Sequence, residues 1–117
     1  MSGSELNGSC HCGAVQITVA EPPPRVLRCN CTLCRKTGWR GGYWHPDAVR
    51  IEAPPQGLNP YIQGDRTITS WTCKRCGCFT HWTPLTASPD QMGVNMRMFD
   101  PADWHHLPVR EVDGASL

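Results

Sequence analysis

The sequence has no long apolar run, and its charges are almost balanced. No stretch of the 117 residues approaches the roughly 20 apolar residues that a membrane-spanning helix needs. Residues 1–9 are polar and glycine-rich and do not form a signal peptide, so we expect a cytoplasmic protein without a membrane partner. With 11 Lys and Arg against 10 Asp and Glu, and no basic run longer than two residues, the charge argues against nucleic acid as a partner.

Helical periodicity is also scarce, and alternation of apolar and polar residues is common instead. Val15, Ile17 and Val19 alternate with polar neighbours, which predicts a strand with one buried face. Further strands are predicted over 25–29, 49–52, 67–73, 78–83 and 94–98. Many short strands separated by turn residues indicate an all-β domain.

The connecting segments complete the predicted organisation. Residues 38–42 are expected to be flexible, and 53–60 read as a proline-rich loop. A short helical turn is expected only near the C-terminus, where Asp100 suits the N-cap and Pro101 the N1 position. The length fits a single domain, 1–117, with a loosely ordered tail at 108–117.

Cysteine is the residue type that the sequence has in excess, with eight in 117 residues. In a reducing compartment cysteines bind metal or react, rather than form stable disulfides. Seven of the eight fall into three tight groups, which are Cys10/Cys12, Cys29/Cys31/Cys34 and Cys73/Cys76. Glycine follows both Cys12 and Cys76, and it permits the sharp turns that bring neighbouring sulfurs onto one metal ion.

The numbers of cysteines in the groups predict two zinc sites. The two pairs together supply the four thiolates of a closed, structural tetrahedral site, on Cys10, Cys12, Cys73 and Cys76. The group of three would then hold a second zinc with one position open, as catalytic zinc sites do. A disulfide framework and a single zinc accompanied by free thiols remain alternatives at this stage.

Four stretches together resemble one known family, the glutathione-dependent formaldehyde-activating enzymes, which also includes the domain of centromere protein V. The matching stretches are Gly8-Ser-Cys-His-Cys-Gly-Ala-Val15, Cys29-Asn-Cys-Thr-Leu-Cys-Arg-Lys-Thr-Gly38, Cys73-Lys-Arg-Cys-Gly77 and Val94-Asn-Met-Arg97. They run from about residue 8 to residue 97, and their order and spacing make the resemblance specific. Cys78 and the pair Trp71-Thr72 depart from the pattern that is usual in the family.

The resemblance implies both a fold and an activity. The fold is a β-tent of small antiparallel sheets held by zinc, with the same division of the seven cysteines between a structural and a catalytic zinc ion. The founding activity of the family is the addition of glutathione to formaldehyde, which gives S-hydroxymethylglutathione and is classed with the carbon–sulfur lyases. Because one fold hosts several chemistries, the resemblance defines the site better than it defines the substrate.

Residues near the cysteines complete the hypothesis of a thiol-using enzyme. A zinc ion held by three thiolates deprotonates a coordinating thiol, so a small thiol such as glutathione is the expected partner. Substrate contacts are predicted at Arg35, Lys36, Asn95 and Arg97. Surface charge or backbone hydrogen bonds are the plainer interpretations of these four residues.

The remaining candidate residues have structural interpretations. The histidines, with no ligand-like spacing, are expected at the surface or in packing. Trp39, Tyr43, Trp44 and Trp82 are expected mainly in the core, and Cys78 is expected to be a small buried side chain. Two rival functions remain, a non-catalytic zinc module that binds a partner and a redox sensor that releases zinc on oxidation. A pocket beside Cys29, Cys31 and Cys34 would favour an enzyme.

Overall fold

Ten short strands make up most of the computed structural model, which describes residues 4–116. They are β1 (Leu6–Ser9), β2 (Gln16–Val19), β3 (Val26–Cys29), β4 (Gly41–Trp44), β5 (Val49–Glu52), β6 (Leu58–Ile62), β7 (Ile68–Cys73), β8 (Phe79–Pro84), β9 (Met92–Asn95) and β10 (Val109–Val112). The helical elements are α1 (Thr32–Thr37) and the 3-10 turns Pro46–Ala48, Met96–Met98, Pro101–Asp103 and Gly114–Ser116. The all-β class is therefore confirmed, although the helical turns are not confined to the C-terminal part.

The strands form two sheets of unequal size. A three-stranded antiparallel sheet has the order β1-β2-β5. A seven-stranded sheet has the order β10-β3-β4-β9-β8-β7-β6, and all its pairs are antiparallel except the parallel pair of β10 and β3. Among residues 4–116, no helix has the length and hydropathy needed to cross a bilayer.

One hydrophobic core joins the two sheets. Ile17 and Val19 of β2 are buried in the same cluster as Val94 of β9 and Met96 and Phe99, which follow it. Complete burial of an aliphatic side chain contributes about 1.5–3 kcal/mol, so these contacts stabilise the packing of the small sheet on the large one. The strand predicted from the alternation is confirmed as β2, and Val15, Ile17 and Val19 are at most 1% exposed. Thr18, which the alternation placed on the polar face, is buried as well, at 7% exposed.

The strand predicted over 94–98 ends early, at Asn95. The side-chain carbonyl of Asn95 accepts a hydrogen bond from the backbone N–H of Arg97, and residues 96–98 form a 3-10 turn. Asparagine can offer the backbone such an alternative to a sheet ladder, which the apolar alternation of the sequence does not reveal. A strand over 94–98 would place Asn95 and Arg97 on one face, and this consequence of the predicted strand is wrong because Arg97 lies in the turn.

The predicted loose tail at 108–117 instead contains β10 and a 3-10 turn; Leu117 lies outside the described residues. The backbone N–H of Val26 donates to Pro108, and that of Asn30 donates to Val112. These partners are about 80 residues apart along the chain, so local sequence could not indicate the pairing. Strand β4 begins within the segment 38–42 that was expected to be flexible, and β6 begins within the predicted loop 53–60. Strand β1 lies in the polar N-terminal segment, for which no strand was predicted.

Candidate metal centres and the adjoining pocket

The first metal centre joins two distant turns. Cys10 and Cys12 lie between β1 and β2, whereas Cys73 ends β7 and Cys76 lies in the turn before β8. The four sulfur atoms all lie within 4.8 Å of one another. The Sγ atom of Cys12 is 3.7 Å from that of Cys10 and 3.7 Å from that of Cys73. The structure thus brings together the four residues that the sequence grouped as a closed site.

Left-handed glycines make both turns possible. Gly13 has a φ of 82° and Gly77 a φ of 81°, a region that strains residues with a Cβ. The turns also direct backbone N–H groups at sulfur: Val15 donates to Cys10 at 3.3 Å and Arg75 donates to Cys73 at 3.4 Å. Such donors favour the thiolate over the thiol, because they stabilise the negative charge.

The geometry of this first centre fits a tetrahedral zinc ion. Zinc–thiolate bonds of about 2.3 Å place the sulfur atoms of a tetrahedron about 3.8 Å apart, close to the two distances of 3.7 Å. Hydrogen bonds from the backbone N–H groups of Cys78 and Cys12 lower the pKa of Cys76 to about 5. The donor set therefore contains a sulfur prepared to bind as thiolate, the form that metals require.

The second metal centre is built within six residues of chain. Cys29 ends β3, Cys31 is the N-cap of α1, and Cys34 lies inside that helix. Their sulfur atoms lie within 4.8 Å of one another, and in the described part of the chain no fourth Cys, His, Asp or Glu joins them. The arrangement therefore has the three converging thiols that the sequence predicted, with no protein ligand in the fourth position.

Helix α1 was missed by the sequence analysis, although its end signals can be recognised. The sulfur of Cys31 accepts the backbone N–H of Cys34 at 3.4 Å, in the place where a serine or aspartate oxygen usually caps a helix. Gly38 ends the helix in the left-handed region, with a φ of 73°. The segment between these signals is six residues long, which is too short to show helical periodicity.

Electrostatics in the second centre favour a bound cation. Burial and the hydrogen bond with Cys31 raise the pKa of Cys34. Burial also opposes ionisation of Cys31, but hydrogen bonds, first from the backbone N–H of Cys34, outweigh it and lower the pKa of Cys31. Neighbouring thiols resist losing all their protons together unless a positive charge offsets the thiolates, so the donor set fits a divalent soft metal.

A cavity of about 230 Å³ lies directly beside the second centre. Besides the three cysteines, its walls are mostly apolar and aromatic: Leu27, Leu33, Trp39, Tyr43, Gln63, Ile68, Phe79, Trp82 and Val112. We call this cavity the aromatic pocket. Trp39 packs on Phe79 with ring centroids 4.7 Å apart, and Tyr43 packs on Trp82 at 6.0 Å. The centre therefore opens onto a shaped cavity rather than a flat covered surface.

Tyr43 contributes a hydroxyl group to this otherwise apolar wall. Its oxygen accepts a hydrogen bond from Trp39 Nε1 at 3.1 Å, which leaves the hydroxyl hydrogen available for another acceptor. Burial raises the pKa of Tyr43 to about 12, so the group is a neutral donor at ordinary pH. Of the four aromatic residues expected mainly in the core, Trp39 and Trp44 are buried, at 5% and 8% exposed. Trp39 also lines the pocket, together with Tyr43 and Trp82.

The four predicted substrate contacts do not line the aromatic pocket. Arg35 and Lys36 are exposed at the end of α1. Arg35 lines another cavity, of about 350 Å³, which also borders the second centre, because Cys29 is among its walls together with Arg28 and Glu111. Arg97 is exposed and lies against Gly38. None of these residues lines the aromatic pocket.

Asn95, the fourth of these predicted contacts, is 1% exposed and has its polar atoms engaged. Its carbonyl accepts from the backbone of Arg40 and Arg97, and its amide donates to Phe79. These bonds join three segments of backbone. Because Asn95 is buried and does not line the aromatic pocket, its place in the structure is that of a link between these segments.

The C-terminal segment packs against the second centre, where residues 113–115 contact Asn30 and Cys29. The amide of Asn30, between two of the cysteines, donates to Asp113 at 2.8 Å, and its carbonyl accepts the backbone N–H of Ala115 at 2.9 Å. Gly114 lies so close that a Cβ built on it would be 2.5 Å from the Sγ atom of Cys29. The position of Cys29 therefore depends on a residue 85 positions later in the sequence.

His81 and Cys78 were both expected to be packing residues, and the structure buries only His81 fully. His81 is 3% exposed and pairs through Nδ1 with the hydroxyl of Thr80 at 2.8 Å, and burial lowers its pKa to about 4. It is a packing histidine, stacked on Trp71. Cys78 is only half-buried and lies beside the first centre, where burial raises its pKa and the side chain of Cys76 raises it further.

Comparisons with known proteins agree with the architecture and the cysteine pattern. A Rhodobacter sphaeroides protein of known crystal structure superposes with a TM-score of 0.72 and is 31% identical, over 90% of this chain and 100% of that one. A Halomonas elongata protein, assigned the name glutathione-dependent formaldehyde-activating enzyme, is 56% identical over 39 residues; these are 32% of this chain and 25% of that protein. The family model of the glutathione-dependent formaldehyde-activating enzymes matches residues 5–112, and the chain belongs to this family.

Proposed function

We propose that this protein is a zinc-dependent carbon–sulfur lyase-like enzyme that joins glutathione and formaldehyde to give S-hydroxymethylglutathione, and cleaves the same bond in reverse. Family membership supports the pairing of glutathione with formaldehyde. The observation that carries the proposal is the convergence of Cys29, Cys31 and Cys34 at the edge of the aromatic pocket, with no fourth ligand from the described chain. A non-catalytic zinc module would have no need of this pocket.

The two centres would have different tasks. Cys10, Cys12, Cys73 and Cys76 would hold a structural zinc that ties the N-terminal turn to the β7–β8 turn. Cys29, Cys31 and Cys34 would hold the catalytic zinc. A zinc ion in that place supplies a fourth position at which an incoming thiol loses its proton.

The pocket walls would orient the two reactants. Trp39, Phe79 and Trp82 give the cavity apolar surfaces that limit its water content, which matters because formaldehyde is readily hydrated. The sulfur of glutathione forms a bond to the aldehyde carbon while the C=O π electrons move to oxygen. The hydroxyl of Tyr43 donates a hydrogen bond to that oxygen as its charge develops, and the oxygen finally takes a proton.

Cleavage follows the same residues in the opposite direction. The hydroxyl of the adduct loses its proton, the carbonyl reforms, and the carbon–sulfur bond breaks with its electron pair on sulfur. Tyr43 would then stabilise the alkoxide from which the carbonyl forms. One geometry therefore serves both directions, as microscopic reversibility requires.

The decisive experiment combines metal content with product formation. Zinc per chain is measured by mass spectrometry, and S-hydroxymethylglutathione is followed by NMR with carbon-13 formaldehyde. We expect two zinc ions in the wild type, one in Cys34→Ser with loss of the catalysed rate, and two in Cys78→Ser with the rate retained. Cys78 is the matched control because it lies outside both ligand sets. A zinc-loaded wild type that gives no acceleration over the uncatalysed reaction would overturn the proposal.

A further inference from the structure

A second cavity, of about 370 Å³, adjoins the aromatic pocket. Its lining residues are Pro23, Pro24, Arg25, Leu27, Tyr43, Gln91 and Arg110. We call it the outer cavity. Leu27 and Tyr43 line both cavities, so the two cavities are neighbours on the side of the sheet that carries Cys29, and we call this pair of cavities the groove.

Strand register places Arg110 close to the metal end of this groove. In the parallel pair of β10 and β3, Arg110 lies opposite Leu27 and Val112 lies opposite Cys29. Residues two apart on a strand point to the same face and are separated by about 6.6 Å. Arg110 therefore lies on the face that carries Cys29 and Val112, one pleat farther from the metal centre.

Arg25 and Arg110 are available to an anion. Within residues 4–116, neither side chain forms a salt bridge or a hydrogen bond, and the lining of the outer cavity contains no acidic residue. Arg28 makes the contrast clear, because it lies on the opposite face of β3 and is paired with Glu111. The outer cavity thus combines two unpaired guanidinium groups with a position next to the pocket that borders the thiolate centre. Guanidinium groups match carboxylates in shape and charge.

We propose that the outer cavity is a carboxylate-binding subsite, formed by Arg25 and Arg110, that selects thiols whose carboxylate can reach these guanidinium groups while the sulfur lies at the second centre. A carboxylate one residue beyond a cysteine lies only a few bonds from the sulfur, which suits two neighbouring cavities. The favoured substrates are therefore cysteinyl peptides that end in a free carboxylate close to the cysteine. This inference rests on the proposed function, because it requires the thiol sulfur to reach the second centre.

The test compares three thiols that differ in charge. Glutathione, its ethyl ester at the glycine carboxylate, and 2-mercaptoethanol are titrated into the cobalt-substituted protein, where thiolate-to-cobalt absorption reports sulfur binding. We expect Arg110→Ala to weaken glutathione binding about fivefold, and the Arg25/Arg110 double alanine variant to weaken it further. Binding of the ester and of 2-mercaptoethanol should change less than about twofold. 2-Mercaptoethanol has no carboxylate, and the ester keeps only the α-carboxylate of its γ-glutamyl residue, which lies farther from the sulfur than the glycine carboxylate.

Two control variants separate local charge from general effects. Arg110→Lys should bind glutathione more weakly than the wild type but more tightly than Arg110→Ala, because it keeps the positive charge and loses the planar guanidinium. Arg50→Ala should bind all three thiols as the wild type does, since Arg50 lies in β5 of the small sheet and pairs with Glu52.

The outcomes distinguish this inference from the proposed function. If Arg110→Ala and the double variant bind glutathione as tightly as the wild type, the subsite is wrong while the thiol chemistry stands. Equal loss of affinity for glutathione and for its ester would also contradict the subsite. If no thiol changes the cobalt spectrum of the wild type, the proposed function itself fails.

Discussion

The two metal centres are built in opposite ways from the same kind of residue. The first joins turns more than 60 positions apart in the sequence, and its Cys10 and Cys73 are 2% and 1% exposed. The second lies within residues 29–34, and all three of its cysteines are half-buried beside a cavity. A metal centre that joins distant segments stabilises the whole fold. A local centre can leave one coordination position of its metal free without destabilising the rest of the protein.

The largest expected effect tests this division directly. Cys73→Ser removes a ligand that joins distant segments, so the free energy of unfolding should fall by more than about 4 kcal/mol, or the protein should fail to fold. Cys34→Ser should lower it by no more than about 2 kcal/mol, because the fold does not depend on the local centre. Urea denaturation followed by tryptophan fluorescence measures both variants. Equal destabilisation would show that the two centres do not differ in this respect.

A second test measures how the stability of the fold depends on pH through His81, which belongs to neither metal centre. The pKa of His81 is about 4 in the folded chain and about 6.5 when unfolded, so between these values the unfolded state binds more protons. The contribution to unfolding free energy is therefore complete above pH 6.5 and lost as pH falls, by about 3 kcal/mol at pH 4.

His81→Asn removes this contribution without touching either centre. Denaturation curves from pH 7 to pH 4 should show a shallower loss of stability in the variant than in the wild type. Loss of metal from the thiolates at low pH affects both proteins alike, so the difference between their curves isolates His81. Identical pH dependence would show that His81 titrates normally.

The third test concerns the pocket that only the second centre possesses. Tyr43→Phe removes the hydroxyl that faces the pocket and should lower the catalysed rate about 10- to 100-fold. Zinc content should remain two per chain, and stability should change by about 1 kcal/mol because Trp39 Nε1 loses its acceptor. Rate measurements and metal analysis on the same preparation distinguish a chemical role from a structural one. An unchanged rate would remove Tyr43 from the mechanism.

The smallest effect tests how the C-terminal segment supports the second centre. Gly114→Ala forces a Cβ against the sulfur of Cys29, so zinc affinity of that centre should fall about 10-fold while the first centre keeps its metal. Gly64→Ala is the matched control, because a Cβ there meets nothing within 4 Å. Competition with a chromophoric chelator measures both affinities. Equal zinc affinity in the two variants would mean that Gly114 does not position Cys29.

Sequence reasoning succeeded where a signal is local. The Cys-x-Cys, Cys-x-x-Cys and glycine spacings predict the three local groups of cysteines, and the alternation of Val15, Ile17 and Val19 predicts β2. The union of the two distant pairs followed from the number of ligands that a tetrahedral zinc needs, not from any local signal. It failed where the partner is distant or the segment is short. Strand β10 has little apolar alternation of its own and is held by pairing with β3, and α1 is capped by a sulfur atom rather than by oxygen.

By itself, the sequence determined which sulfur atoms can meet, because short spacings and glycine turns limit where neighbouring cysteines can point. Only the tertiary structure decided what surrounds them. The aromatic pocket takes Trp39 and Tyr43 from around β4, Phe79 and Trp82 from β8, and Val112 from β10. These residues converge because strands that are neighbours in a sheet need not be neighbours in sequence, so the pocket appears only once the whole sheet has formed.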